Sequence, residues 1–151
     1  MTILDRIEIV CGDVRDVAAD VLILKYAAGL YGADKAVADA IGFYDPDVAM
    51  GEVKWCPGTG VAPDEVAYLG VGPLFDFRYD NIREFCRLSL TTVCAQRPHA
   101  KTLTTTIHGP GYGLDEREAF LSQLAGYFDA QEQDLSQIDA IKIVELDPTR
   151  A

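Results

Sequence analysis

The stretch Thr104-Thr105-Thr106-Ile107-His108-Gly109-Pro110-Gly111-Tyr112-Gly113 runs from a β-branched segment into a glycine-rich loop, and a helix-like segment begins at Asp115. β-Branched residues favour extended backbone because their χ1 freedom suits a pleated surface. Three glycines alternating with Pro110 and Tyr112 leave amides unshielded and admit positive φ, so successive N–H groups can converge on a phosphate between strand and helix. A plain Gly/Pro turn has the same composition. The stretch therefore predicts a strand-loop-helix unit and offers a candidate anion cradle.

Working outward, the elements alternate. Upstream, Tyr79 to Gln96 places Ile82, Phe85, Cys86, Leu90, Val93 and Cys94 on one helical face, with Asp80, Arg83, Glu84 and Arg87 turned away. Downstream, Asp115 to Phe128 reads as a helix with Ala119, Phe120, Leu124 and Phe128 inward, and Ile138 to Leu146 as a closing strand. Nearer the N-terminus, Ile7 to Cys11 and Val21 to Leu24 read as strands, the second as an apolar run covered on both faces. Ala33, Ala36, Val37, Ala40 and Ile41 form a helical stripe stopped by Gly42, and Glu52 to Cys56 and Val66 to Val71 are further strands. This order predicts a three-layer α/β/α fold with a mixed, largely parallel central sheet, as one domain over residues 1–151. The ending at Ala151, just after the last strand, also suits a domain excised from a longer protein.

Composition narrows the function classes. The chain is 49% hydrophobic, enough for an ordinary core without staples. Its 13 basic and 24 acidic residues give a formal charge of −11, which opposes nucleic acid and anionic membranes as partners. An anionic ligand must then be held locally, by aimed amides. No signal peptide or apolar span is evident, so a cytoplasmic location is expected. Cys11, Cys56, Cys86 and Cys94 are widely spaced and the two histidines lie apart from them, so neither a metal site nor a cofactor is expected.

Four segments resemble the macro domain family, the α/β/α module that binds ADP-ribose. Ile9-Val10-Cys11-Gly12-Asp13-Val14 resembles its first strand and Gly-Asp signature; Gly51-Glu52-Val53 with Pro57-Gly58 is similar to its Gly-Glu segment. Val66 to Pro73 resembles its central strand and turn, and Gly109-Pro110-Gly111-Tyr112-Gly113 resembles its second phosphate loop. A similar domain forms the noncatalytic N-terminal part of leucyl aminopeptidases. The resemblance implies Asp13 and Val14 at an adenine and His108, Gly109, Pro110, Gly111, Tyr112 and Gly113 around phosphate and ribose; where the chain departs from the family, Lys25, Tyr26 and Tyr31 would fit the far end of a shorter or altered nucleotide. Its usual distal-ribose asparagine has no counterpart in Lys25-Tyr26-Ala27-Ala28-Gly29, and its triple-glycine loop is mostly replaced in Gly32-Ala33-Asp34-Lys35. These departures remove catalytic groups before they remove binding, because chemistry at an anomeric carbon needs a positioned water whereas a phosphate needs only amides.

Three readings follow: a module binding ADP-ribose or a related nucleotide without catalysis; a domain with a closed pocket that contacts other domains or proteins; and an ADP-ribosyl hydrolase in which His108 or Asp34 has taken a catalytic role. Asp13 reads equally as an adenine acceptor and as the cap of a turn. Asp34 would stand near like charge from a bound diphosphate unless it is turned away or paired with Lys35.

Overall fold

The computed structural model describes residues 2–44, 47–107, 114–132 and 135–146. Six strands form one sheet in the order β1-β6-β5-β2-β4-β3: β1 (Ile7–Cys11), β2 (Val21–Tyr26), β3 (Val53–Pro57), β4 (Glu65–Gly70), β5 (Thr102–Thr106) and β6 (Ala140–Glu145). All neighbours are parallel except β3, which runs antiparallel along the β4 edge. The mixed, largely parallel sheet expected from the alternating pattern is observed.

Among the described residues three α-helices cover it: α1 (Gly32–Ile41), α2 (Tyr79–Gln96) and α3 (Glu116–Asp129). Strand side chains alternate between faces, so β2 divides its apolar run between two cores. Val21 and Ile23 pack with α2 and α3 residues such as Phe85, Leu90, Ala119 and Tyr127. Leu22, Leu24 and Tyr26 pack with Val37 and Ala38 of α1. This makes the three layers, and it explains why β2 is buried throughout.

Local signals set the helix ends. Asp115 caps α3 by accepting from the Glu118 amide at 2.9 Å, and the Asn81 side chain accepts from the Arg78 amide at 2.9 Å at the start of α2. Gly42 stops α1 in the left-handed conformation with φ 73°.

The phase of two helices differs from expectation. In α1 the buried residues are Asp34, Val37 and Ala38, while Ala33 and Ala40 are exposed. The alanine stripe misleads because it excludes Asp34, which enters the interior by pairing with a cation. In α3 the buried face is Ala119, Gln123, Gly126 and Tyr127, and Phe128, expected inward, is 53% exposed. Gln123 earns its inward place by donating from Nε2 to the Thr106 carbonyl at 3.0 Å.

Gly126 is inward because α2 passes too close for a side chain. A Cβ there would lie 2.1 Å from the Arg83 carbonyl oxygen and 2.7 Å from Cys86 Cβ. Gly126→Val is therefore expected to destabilise the chain by about 2–3 kcal/mol through overpacking, read as a lowered urea midpoint. An unchanged midpoint would mean that α2 and α3 are not held this closely.

Candidate functional site

Because β1, β2, β5 and β6 are mutually parallel, their C-terminal ends emerge at one edge of the sheet, the usual position for a ligand crevice in an α/β fold. A cleft of about 540 Å³ opens there. Gly12 to Arg15, following β1, form one wall, and Tyr31 to Asp34, at the start of α1, form another. Thr106 and Ile107 at the end of β5 and Val144 to Leu146 at the end of β6 also line it.

Asp13 is at this cleft and is also a cap. Its Oδ1 accepts from the Arg15 amide at 2.9 Å, holding the turn Val14–Asp16, and its carboxylate takes a fork from the Arg15 guanidinium with contacts of 2.6 to 3.2 Å. The Arg15 side chain, then the Arg15 amide, hold the Asp13 carboxyl below the ordinary carboxylate range. Val14 lines the cleft while packing into the α1-side core. Arg15 was missed in the sequence; the available signal was an Asp followed two residues later by a fork-shaped cation that can close back on it.

Lys25 and Asp34 meet under the cleft. Lys25 Nζ lies 2.7 Å from Asp34 Oδ2, with the two side chains 6% and 3% exposed, and both residues line the cleft. Asp34 is thus neither turned away nor paired with Lys35, which bonds Asp39 on the surface at 3.0 Å. Residue 35 points outward on α1, whereas residue 34 faces the sheet. Burial raises the Asp34 carboxyl above its ordinary range and Lys25 opposes the rise. Tyr68, wholly buried and stacked on Phe43 at 4.7 Å, donates its hydroxyl to the Asp34 carbonyl at 2.8 Å. Asp34 is thus fixed at both side chain and backbone.

Tyr26, expected beside Lys25 at the ligand's far end, is placed elsewhere. It is 5% exposed and belongs to the core between sheet and α1. Consecutive residues on a strand point to opposite faces, so Lys25 and Tyr26 could not both turn the same way. Tyr31 does line the cleft, 46% exposed, with its ring against the space a Cβ on Gly29 would occupy, at 3.2 Å from the hydroxyl. His108, Gly109, Pro110, Gly111, Tyr112 and Gly113 lie outside the described residues; Ile107, immediately before them, lines the cleft.

Both cations of the described cleft lining face an acid. Arg15 faces Asp13 and Lys25 faces Asp34, with Glu145 a further acid on the wall. Backbone donors stand nearby: among the described residues the N-cap Tyr31 makes no side-chain capping bond, and Gly32 and Ala33 of the first turn of α1 line the cleft. Among the described residues, no group of three or more His, Cys, Asp or Glu could hold a metal ion, and no helix is long and apolar enough to cross a membrane.

Solved structures share this architecture across nearly the whole chain. The Trypanosoma brucei macrodomain in complex with ADP-ribose aligns with a TM-score of 0.76 and 18% identity, covering 98% of this chain and 67% of that one. This chain has the macrodomain fold. The Trypanosoma brucei macrodomain in complex with ADP gives a TM-score of 0.78 at 18% identity over 98% of this chain and 66% of that one. The Oceanobacillus iheyensis macrodomain with ADP gives 0.74 at 19% identity over 95% and 85%. The chain thus spans about two thirds of the Trypanosoma brucei macrodomain chains. No protein-family model matches the sequence, and no curated protein matches it. The likeness to the macrodomain fold resides in the order of elements more than in residue identity.

Proposed function

We propose that this chain binds ADP-ribose or a related nucleotide-derived ligand in the cleft at the C-terminal edge of the sheet, without catalysis. The observation that carries this reading is the open cleft itself. At about 540 Å³ it has the size of a small-molecule site. A pocket filled by Tyr26, Tyr31 or Tyr112 would have favoured a role in contacting other proteins; Tyr26 is in the core, Tyr31 stands at the wall, and Tyr112 lies outside the described residues. Macrodomain-fold neighbours that were solved with ADP or ADP-ribose support the choice of ligand class.

In this reading the phosphates lie near the uncapped first turn of α1 and the Gly109 to Gly113 loop, and the base lies near Asp13 and Val14. Amide donors suit a cleft whose cations are already matched by acids, since they supply positive ends without any net charge. Asp34 is locked against Lys25 beneath the wall. That arrangement favours binding over hydrolysis, which would need a base free to take a proton from water.

The experiment is amide chemical-shift mapping with ADP-ribose. Perturbations concentrated in Gly12 to Arg15, Gly32 to Asp34 and Thr106 to Gly113 are expected; a response elsewhere on the surface would displace the site. Asp13→Ala is expected to weaken adenine nucleotides by about 1–3 kcal/mol. Equal losses for adenosine and uridine diphosphates would assign Asp13 to capping alone.

A further inference from the structure

The turn after β1 brings two opposite charges to one end of the cleft, and the acid is spent on the base. Asp13 Oδ1 accepts from the Arg15 amide at 2.9 Å and from Arg15 Nε at 3.0 Å; Oδ2 accepts from Nη2 at 2.6 Å and from Nε at 3.2 Å. An ionised carboxylate offers about four acceptor directions, so the fork leaves Asp13 little with which to receive an N–H from a ligand. The guanidinium keeps donors in hand. Its Nε and Nη2 serve Asp13, while Nη1 makes no hydrogen bond among the described residues, and the side chain is 44% exposed in a residue that lines the cleft.

We infer that Arg15 sets the base specificity of the cleft: held on Asp13, it donates from Nη1 to carbonyl-bearing bases and withholds from amino-bearing bases the carboxylate that they need. This rests on the nucleotide-binding reading, with the base beside Asp13 and Val14, and adds base selection to it. Adenine presents an exocyclic amino group, which bonds Asp13 Oδ2 only once Nη2 has let go. Hypoxanthine carries a carbonyl in place of that amino group and meets Nη1 with the fork intact; uracil and guanine present carbonyls as well. The fork is partly open to water, with the carboxylate 27% exposed, so the ion pair contributes little net stability and yields to a ligand instead of excluding it. Arg15 therefore narrows the gap between the two classes of base without closing the cleft to adenine.

Arg15→Ala separates the two roles of the turn. The bond from the residue 15 amide to Asp13 Oδ1 needs no side chain, so the turn keeps its cap while Oδ2 is released to the ligand. Titration of wild type and R15A with adenosine diphosphate and inosine diphosphate gives one ratio of affinities for each protein. The two ligands carry the same phosphates, so the loss of a positive charge weakens both alike and cancels in the ratio. Wild type is expected to hold adenosine diphosphate no more than threefold tighter than inosine diphosphate, and R15A to raise that ratio at least fivefold. A wild-type preference for adenosine diphosphate above threefold, or a rise in R15A below fivefold, overturns the inference while leaving nucleotide binding intact. No binding of either ligand to wild type overturns both the inference and the reading beneath it. If circular dichroism shows R15A unfolded, Arg15→Gln, which cannot form the fork, is measured in its place against the same two thresholds.

Discussion

Asp34→Ala is expected to cost about 3–5 kcal/mol of stability, because it removes the carboxylate that the buried Lys25 ammonium faces at 2.7 Å. For a domain whose whole stability is of order 5–15 kcal/mol, this is a severe loss. The cause is the missing partner and not the missing volume, so replacing both charges should restore what one substitution removes. Lys25→Met combined with Asp34→Leu is expected to lie within about 1 kcal/mol of wild type, since a matched apolar pair avoids the desolvation of two ions. Urea denaturation of the three proteins checks both statements. A single variant as stable as wild type would mean that the pair is not buried as described.

The same pair leaves a mark on the pH profile. Burial raises the folded-state value of Asp34 above its ordinary 3.8. As pH rises through the window from 3.8 to that raised value, the unfolded chain has released this proton and the folded chain still holds it, so stability falls there. Asp13, Glu84 and Asp129 act oppositely: arginine partners lower their values, and their contribution is present above the ordinary range and lost as pH falls through the lowered one. Subtracting the profile of the double variant from that of wild type isolates the Asp34 contribution, which should slope downward with rising pH.

Gly12→Phe is expected to reduce nucleotide affinity at least 100-fold, about 2.8 kcal/mol, with little effect on folding. Gly12 lines the cleft, has nothing within 4 Å of where a Cβ would stand, and needs no positive φ. The hydrogen bond its N–H donates to the Glu145 carbonyl at 3.0 Å survives the change. A phenyl ring placed there occupies space that the ligand requires. Gly32, at φ 52°, would be a poorer probe, since a side chain would strain the backbone as well as obstruct the cleft. Titration calorimetry and thermal unfolding together check the prediction; full affinity in a folded variant would move the ligand out of this cleft.

How much of this was legible beforehand depended on whether periodicity or pairing decided the position. The bounds of α2 follow from a sustained 3.6-residue apolar stripe, and they are observed at Tyr79 and Gln96 as expected. The α1 phase was obscured because a buried aspartate looks like a surface residue until its cation is known, and that cation stands nine residues away at the end of a strand. Yet Lys25 carried a signal: it sits directly after the apolar run Val21 to Leu24 and before Tyr26, and a lysine so enclosed is almost always paired. Phe128 was expected inward on hydrophobicity alone, but Gln123 and Gly126 take the inward face for reasons a hydropathy pattern does not register: a carbonyl to satisfy and a helix too close to admit a side chain. At the cleft, Asp13, Val14 and Lys25 were anticipated and do line it, whereas Arg15 required knowing how the turn after β1 closes.

Isothermal titration of wild-type protein with ADP-ribose at fixed salt, with AMP, ADP and NAD alongside, tests the central claim most directly. Saturable one-to-one binding of ADP-ribose, lost in Gly12→Phe, is the predicted result. The absence of heat with all four ligands, from a protein shown to be folded, would contradict nucleotide binding in the cleft.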